Sequence, residues 1–297
     1  MTLVTNGRLI TRDPEGQGYY EHGAVAYEGT KIVEIGEEAA LRTKYPQAEI
    51  IDAKGGVIMP ALINAHTHIY SALARGLSIV GNNPTNFYEI LDGMWWAIDR
   101  NLDLEGTRYS AYTTFIDSIK TGCTTLFDHH ASFCEIPGSL FTIEEVAKEL
   151  GVRACLCYEV SDRDGEEKCD LAIRENGDFI RHCAREKNPM ISAMFGGHAL
   201  FTISDRTFEK MVKENNGMTG FHIHVSEGMN DVYDTAYNYG TRSVNRLLNN
   251  GILGPKTMLG HCIHVNPAEM DIIRETGTMV CNNPESNMGN AVGLSLI

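Results

Sequence analysis

Two histidines one residue apart, His66-Thr67-His68, close a run that reads Gly55-Gly56-Val57-Ile58-Met59-Pro60-Ala61-Leu62-Ile63-Asn64-Ala65. Imidazole suits zinc and iron, and a catalytic ion takes about three protein ligands with one position left open for water. The apolar stretch 57–63 is short, partly β-branched and preceded by two glycines, which predicts a buried strand. Side chains alternate along a strand, so both imidazoles would leave its carboxyl end on one face. With 11 histidines in the chain an HxH can also arise by chance, so the pair alone leaves both readings open.

Further histidines repeat the placement. Phe221-His222-Ile223-His224-Val225-Ser226-Glu227 carries a second HxH with a carboxylate three residues on. His261 ends the apolar run Met258-Leu259-Gly260, His129 and His130 follow Leu126-Phe127-Asp128, and His198 follows Met194-Phe195-Gly196-Gly197. Imidazoles at the exits of successive strands point to one shared mouth. His222 shares a face with His224 but lies deeper, so a structural role weighs equally with a ligand role. Asp128 can orient an imidazole or cap the next segment. Trp95 and Trp96 read as packing residues before a substrate platform.

The elements that must position these groups come in two styles. Residues 1–56 hold short strand-like runs at 3–10, 24–36 and 49–53 with turn chemistry at Asn6-Gly7 and Glu28-Gly29, a small β unit. From residue 57, strands expected at 57–65, 123–128, 152–159, 190–196, 220–225, 257–261 and 278–281 alternate with helices expected at 104–121, 143–150, 177–185, 204–215, 241–250 and 267–275. A further helical pattern covers 87–100. Thr142, Ser204 and Asn266 read as helix caps. The alternation predicts an α/β fold with a parallel sheet. A (β/α)8 barrel gathers chemistry at every strand exit, whereas a doubly wound sheet, the alternative, gathers it at one switch point.

The net charge of −14 argues against nucleic acid and anionic membranes as partners. Residues 1–8 show no signal-peptide pattern, and no apolar stretch approaches a membrane span. Eight cysteines without CxxC pairs read as free thiols of a cytoplasmic protein.

Six motifs in order resemble the amidohydrolase superfamily, in its cytosine/guanine deaminase and chlorohydrolase-like branch. They are Pro60-Ala61-Leu62-Ile63-Asn64-Ala65-His66-Thr67-His68, Met94-Trp95-Trp96-Ala97-Ile98-Asp99-Arg100, Gly122-Cys123-Thr124-Thr125-Leu126-Phe127-Asp128-His129-His130-Ala131-Ser132, His222-Ile223-His224-Val225-Ser226-Glu227, Gly260-His261-Cys262 and Asn283-Pro284-Glu285-Ser286-Asn287-Met288. The resemblance implies a TIM-type barrel over 57–297 beside the N-terminal part of a small β-sandwich over 1–56. It implies His66, His68 and His224 as ligands of one divalent ion, zinc before iron. Glu227 matches the proton shuttle, His261 the histidine that orients water, and His198 a substrate contact; His130 is carried, on weaker grounds, as a second substrate contact. No lysine stands at the exit of the fourth strand to bridge a second ion, so one metal is expected. Ala61 replaces the family's usual glycine. The family's last ligand, an aspartate after the eighth strand, has no counterpart before Ile297, so the barrel is expected to lack its last strand and helix. The implied activity is hydrolytic deamination of a purine, pyrimidine or triazine, with a homodimer as a family-level expectation. Displacement of a ring chloride, or a non-catalytic truncated barrel, are the alternatives.

Overall fold

The computed structural model describes residues 1–77, 81 and 83–295; Leu296 and Ile297, the end of the C-terminal run on which the expected truncation rests, lie outside them. The chain forms two compact units, residues 1–62 and 63 onward.

In the first unit, β1 (Thr2–Ile10), β2 (Tyr19–Glu28) and β3 (Lys31–Glu37) form an antiparallel meander, followed by α1 (Glu38–Lys44). Strands β4 (Glu49–Asp52) and β5 (Val57–Ile58) both pair parallel to β1. Leu3, Ala24, Ala26 and Leu41 make its core. The single strand expected at 57–65 is therefore two. Val57 and Ile58 belong to β1, and Pro60, which has no N–H for a ladder, stands in the break.

The boundary falls within β6 (Leu62–Thr67), which carries His66 into the second unit. It continues through α2 (Phe87–Ile90), α3 (Trp96–Asp99), α4 (Leu104–Lys120), β7 (Cys123–His130), α5 (Ser139–Leu150), β8 (Arg153–Tyr158) and α6 (Glu166–Glu186). Then come β9 (Ile191–Ala193), β10 (Phe195–Ala199), α7 (Asp205–Asn215), β11 (Phe221–Val225), α8 (Met229–Tyr239) and α9 (Ser243–Asn249). The described chain closes with β12 (Met258–His261), α10 (Pro267–Thr276), β13 (Met279–Cys281) and α11 (Pro284–Gly289). Two four-stranded sheets result, in the order β6-β7-β8-β9 and β10-β11-β12-β13. Their pairings β7–β8, β8–β9, β10–β11, β11–β12 and β12–β13 are parallel, an α/β fold as expected. The helices cover the sheets through an apolar core that includes Phe115, Leu126, Phe179, Phe195, Ile223 and Leu259.

The expected strand at 190–196 is also split. Met194 N–H donates to Leu156 O at 3.1 Å and Phe195 N–H to Gly220 O at 2.9 Å, so the chain changes partner strand between consecutive residues. A parallel bridge between Val160 and Gly197 joins the two sheets at this seam. Caps explain which helix boundaries were readable. Asn266 and Glu269 form a reciprocal capping box with Pro267 in the first turn, and α10 stops at Gly277 with φ +67°. Ser204 accepts from Thr207 N–H as expected. Thr142 does not cap α5: the helix starts at Ser139 after Gly138 (φ +88°), and the Thr142 hydroxyl donates back to Gly138 O. Helix α6 runs far beyond the expected 177–185, because its inward stripe of Cys169, Ala172, Ile173, Asn176 and Phe179 sits within polar sequence. The pattern at 87–100 is helical, but α2 and α3 are joined by a π-helical turn, Leu91–Trp95. No helix among the described residues is long and apolar enough to cross a membrane.

Candidate active site

Strand β6 delivers His66, and His68 follows it at the entry to a 3-10 turn, Ile69–Ala74. That turn is tied down by Asp128, whose Oδ1 accepts from Ile69 N–H at 2.7 Å. Asp128 thus caps a segment, though one that follows β6. Strand β11 delivers His224. One nitrogen from each of His66, His68 and His224 falls within 4.8 Å of the other two.

The ring partners fix which nitrogens carry protons. His68 Nδ1 lies 2.8 Å from His129 O and His224 Nδ1 lies 2.7 Å from His198 O. A carbonyl only accepts, so both Nδ1 atoms are N–H and both Nε2 atoms are bare. Those two bare nitrogens face each other at 3.2 Å with no proton between them. His66 follows from a longer chain. The Cys157 thiol donates to Asp128 O at 3.3 Å, which leaves its sulfur to accept from His222 Nδ1 at 3.8 Å. His222 Nε2 is then bare and accepts from His66 Nδ1–H at 2.8 Å. His66 Nε2 is left buried and without a partner. Three convergent imidazole lone pairs and no donor fit a divalent cation. Burial, with charge on neighbouring imidazoles, holds His68 near about 4 and His66 and His224 well below the ordinary histidine value, so all three stay in the neutral, ligating form.

Beside this trio, His261 at the end of β12 faces Glu227, with Nε2 to Oε2 at 3.4 Å. Asn287 Oδ1 accepts a hydrogen bond from His261 Nδ1–H at 2.8 Å, and Asn290 Nδ2 donates to Glu227 Oε1 at 3.2 Å. Burial raises the Glu227 carboxyl to about 8 and lowers His261 to about 4. A protonated carboxyl can therefore face a bare ring nitrogen. Backbone strain aims both groups: Ser226, His261 and Cys262 all have left-handed φ, at +49°, +68° and +50°. Asp231 stabilises the first bend by accepting from Ser226 N–H at 2.7 Å and Phe201 N–H at 3.1 Å. His66, His68, His224, His261, Glu227, Asn290 and Asp231 line a cavity of about 800 Å³, whose wall also carries His198, Glu159, Trp95 and Trp96.

A model of the amidohydrolase family matches residues 57–295. The chain belongs to the amidohydrolase family. Residues 23–48 of this amidohydrolase also match a bacterial imidazolonepropionase-like composite domain. It is 31% identical to a 5'-deoxyadenosine deaminase of Methanosarcina mazei over 296 residues, 98% of this chain and 64% of that protein. It is 32% identical over 266 residues to a 5-methylthioadenosine/S-adenosylhomocysteine deaminase of Thermococcus sibiricus, 88% of this chain and 58% of that one. The chain thus spans less than two thirds of the length of these curated relatives. Its fold matches an adenosine deaminase of Xanthomonas campestris with bound zinc (TM-score 0.82, 22% identity, 99% of this chain and 64% of that one). It also matches the guanine deaminase of E. coli (TM-score 0.83, 19% identity, 99% and 70%) and, with bound zinc, atrazine chlorohydrolase of Arthrobacter aurescens (TM-score 0.82, 20% identity, 100% and 68%).

The structure gathers His66, His68, His224, Glu227, His261 and His198 around the cavity of this amidohydrolase; it does not bring His130 there. His130 is fully buried, with Nε2 3.0 Å from Ser132 Oγ and its ring against Tyr158. Strand β7 runs two residues past the expected end, and alternation then turns His130 away from the side that His129 takes. Trp96 does pack, edge-on to His198 at 6.0 Å, yet both tryptophans reach the wall, so packing and wall are not alternatives for them. Glu159, Asn290, Asp231 and the Cys157–His222 chain were not found from sequence. The Asn-rich motif around Asn287 was the available signal for α11.

Proposed function

We propose that this amidohydrolase hydrolyses the exocyclic amino group of an amino-substituted heterocycle, a purine, pyrimidine or triazine, at one divalent ion held by His66, His68 and His224. The observation that carries this reading is the set of three bare, convergent imidazole nitrogens next to Glu227 and His261. Zinc is the first choice and ferrous iron the second, on the imidazole donor set. A divalent cation in such a site lowers the pKa of water toward neutrality.

Water adds to the amino-bearing ring carbon, the C–N bond breaks, and the ring carbon becomes a carbonyl as ammonia leaves. Glu227, in its carboxylate form, takes one water proton at Oε2 and gives it to the ring nitrogen. The proton left on the added hydroxyl then passes by the same carboxylate to the amine, which leaves as ammonia; such transfers contribute about 10²–10⁴-fold. His261, its Nδ1–H held by Asn287, keeps Nε2 directed at the Glu227 carboxyl and the same water. His198 contacts substrate from the cavity wall. Deamination asks more of Glu227 than chloride displacement does, because ammonia needs a proton to leave and chloride does not. The architecture we propose is a TIM-type barrel from residue 57 with part of a small β-sandwich at 1–56. A cytoplasmic homodimer acting on a small molecule belongs to the same proposal.

Ammonia release from aminopurines, aminopyrimidines and aminotriazines tests it. The zinc-loaded protein should release ammonia, and Glu227→Gln should lose at least about a hundredfold in kcat while retaining its metal. Chloride release from a chlorotriazine with no ammonia from the whole panel would overturn it.

A further inference from the structure

Glu159 follows β8 and is 3% exposed, its contact with solvent being through the cavity wall. Three groups flank its carboxylate: His129 Nδ1 at 3.3 Å from Oε2, and His198 Nε2 and Arg163 Nη2 at 3.7 and 3.8 Å from Oε1. None of them donates a short hydrogen bond to it. Arg163 Nη2 is bonded to Asp99 instead. His129 directs Nε2–H at the carbonyls of Gly197 and His222, at 2.9 and 3.1 Å, and its buried Nδ1, 3.3 Å from Glu159, makes no hydrogen bond. The Thr202 hydroxyl donates to Ala199 O at 3.0 Å, so its oxygen accepts from His198 Nδ1–H at 2.7 Å and His198 Nε2 is bare. The wall therefore presents a carboxylate, its neighbouring nitrogens standing off at 3.3–3.8 Å without a hydrogen bond, beside an imidazole lone pair. Buried acceptors in this position call for a donor from the ligand.

We propose that Glu159 and His198 form an acceptor pair that selects heterocycles with a ring N–H beside the amino-bearing carbon, the donor edge of guanine- and isocytosine-type rings. This rests on the reading of the cavity as a deaminase site. Adenine- and cytosine-type rings place a lone pair at that ring position and would set it against the carboxylate. A site built to hydrogen-bond a substrate N–H rejects an analogue lacking it by up to about 10⁴–10⁵. The second ring nitrogen of a donor-edge substrate then remains for Glu227. A second cation at Glu159 is opposed by the Arg163 guanidinium 3.8 Å away. The curated relatives named above are adenosine-type deaminases, so this selectivity sets the chain apart from them.

Calorimetric binding of guanine and isocytosine against adenosine and cytosine tests the pair on the zinc-loaded protein, alongside Glu159→Gln and Thr202→Val. The wild type should bind the donor-edge ligands more tightly. Glu159→Gln should weaken those ligands roughly ten- to a hundredfold and leave the acceptor-edge ligands unchanged or improved. Thr202→Val, which frees the His198 tautomer while leaving Glu159 in place, should weaken the same two ligands and not the others. Wild-type preference for adenosine or cytosine overturns the proposal, as does an equal loss for both classes or a fall in metal content in Glu159→Gln. Donor-edge binding without ammonia release would instead sink the deaminase reading and leave the acceptor pair standing.

Discussion

His222→Phe isolates the proton chain that leaves His66 Nε2 bare. In the wild type each link fixes the next: Cys157 S–H to Asp128 O, His222 Nδ1–H to Cys157 Sγ, and His66 Nδ1–H to His222 Nε2 at 2.8 Å. Phenylalanine has a similar shape and cannot accept, so the His66 proton loses its place at Nδ1 and can move to the nitrogen an ion needs. Loss of such an orienting bond lowers metal affinity about 10–100-fold, or roughly 1.4–2.7 kcal/mol. With free zinc buffered at a hundred times the wild-type Kd, the wild type gains about 2.7 kcal/mol of stability from the ion. The variant should gain only about 0.4–1.4 kcal/mol. At roughly 2–4 °C per kcal/mol, its zinc-dependent rise in Tm should fall short of the wild type's by about 3–9 °C. Each protein is compared with its own chelator-treated baseline, which removes any packing effect of the substitution. An equal zinc-dependent shift in both proteins refutes the chain.

Two further outcomes follow from the same geometry. Protons compete with metal only when a ligand nitrogen can be protonated, and burial holds His68 near about 4 and His66 and His224 well below their ordinary value. Zinc affinity, read by competition with a coloured chelator, should therefore stay flat from pH 7.5 down to about 5 and fall only toward pH 4; a steady decline beginning at pH 6.5 would show that the imidazoles titrate as exposed groups. Asp231→Ala should leave Ser226 and Phe201 N–H groups buried without acceptors and destabilise the protein by roughly 2–4 kcal/mol in a urea melt, a loss under about 0.5 kcal/mol contradicting its bracing of the Glu227 bend.

Much of the site is local in sequence, and that part was legible. Alternation alone puts His66 and His68 on one face, sets His222 and His224 on one strand, and ends β12 at His261. What escaped depends on contacts between distant segments. Cys157 looks like any core thiol until it meets His222, 65 residues away, and Glu159 looks like a strand-end carboxylate until His129, Arg163 and His198 surround it. Asp128 had two readings because its partner, Ile69, lies 59 residues earlier. In the fold, Met194 reads as the middle of an apolar strand, and only its change of hydrogen-bond partner shows that two strands meet there. Helix α8 was missed because its buried positions, Asp231, Val232 and Thr235, are mostly polar.

The seam at Met194 gives the three proposed ligands a mechanical meaning. His66 and His68 arrive with the sheet that ends at β9, and His224 with the sheet that begins at β10. An ion gripped by all three would therefore add a link between two sheets that already share one apolar core and the backbone bonds around Val160 and Gly197. Scarcity of the metal would then do more than silence chemistry, for it would withdraw that link and cost the fold stability in the same stroke.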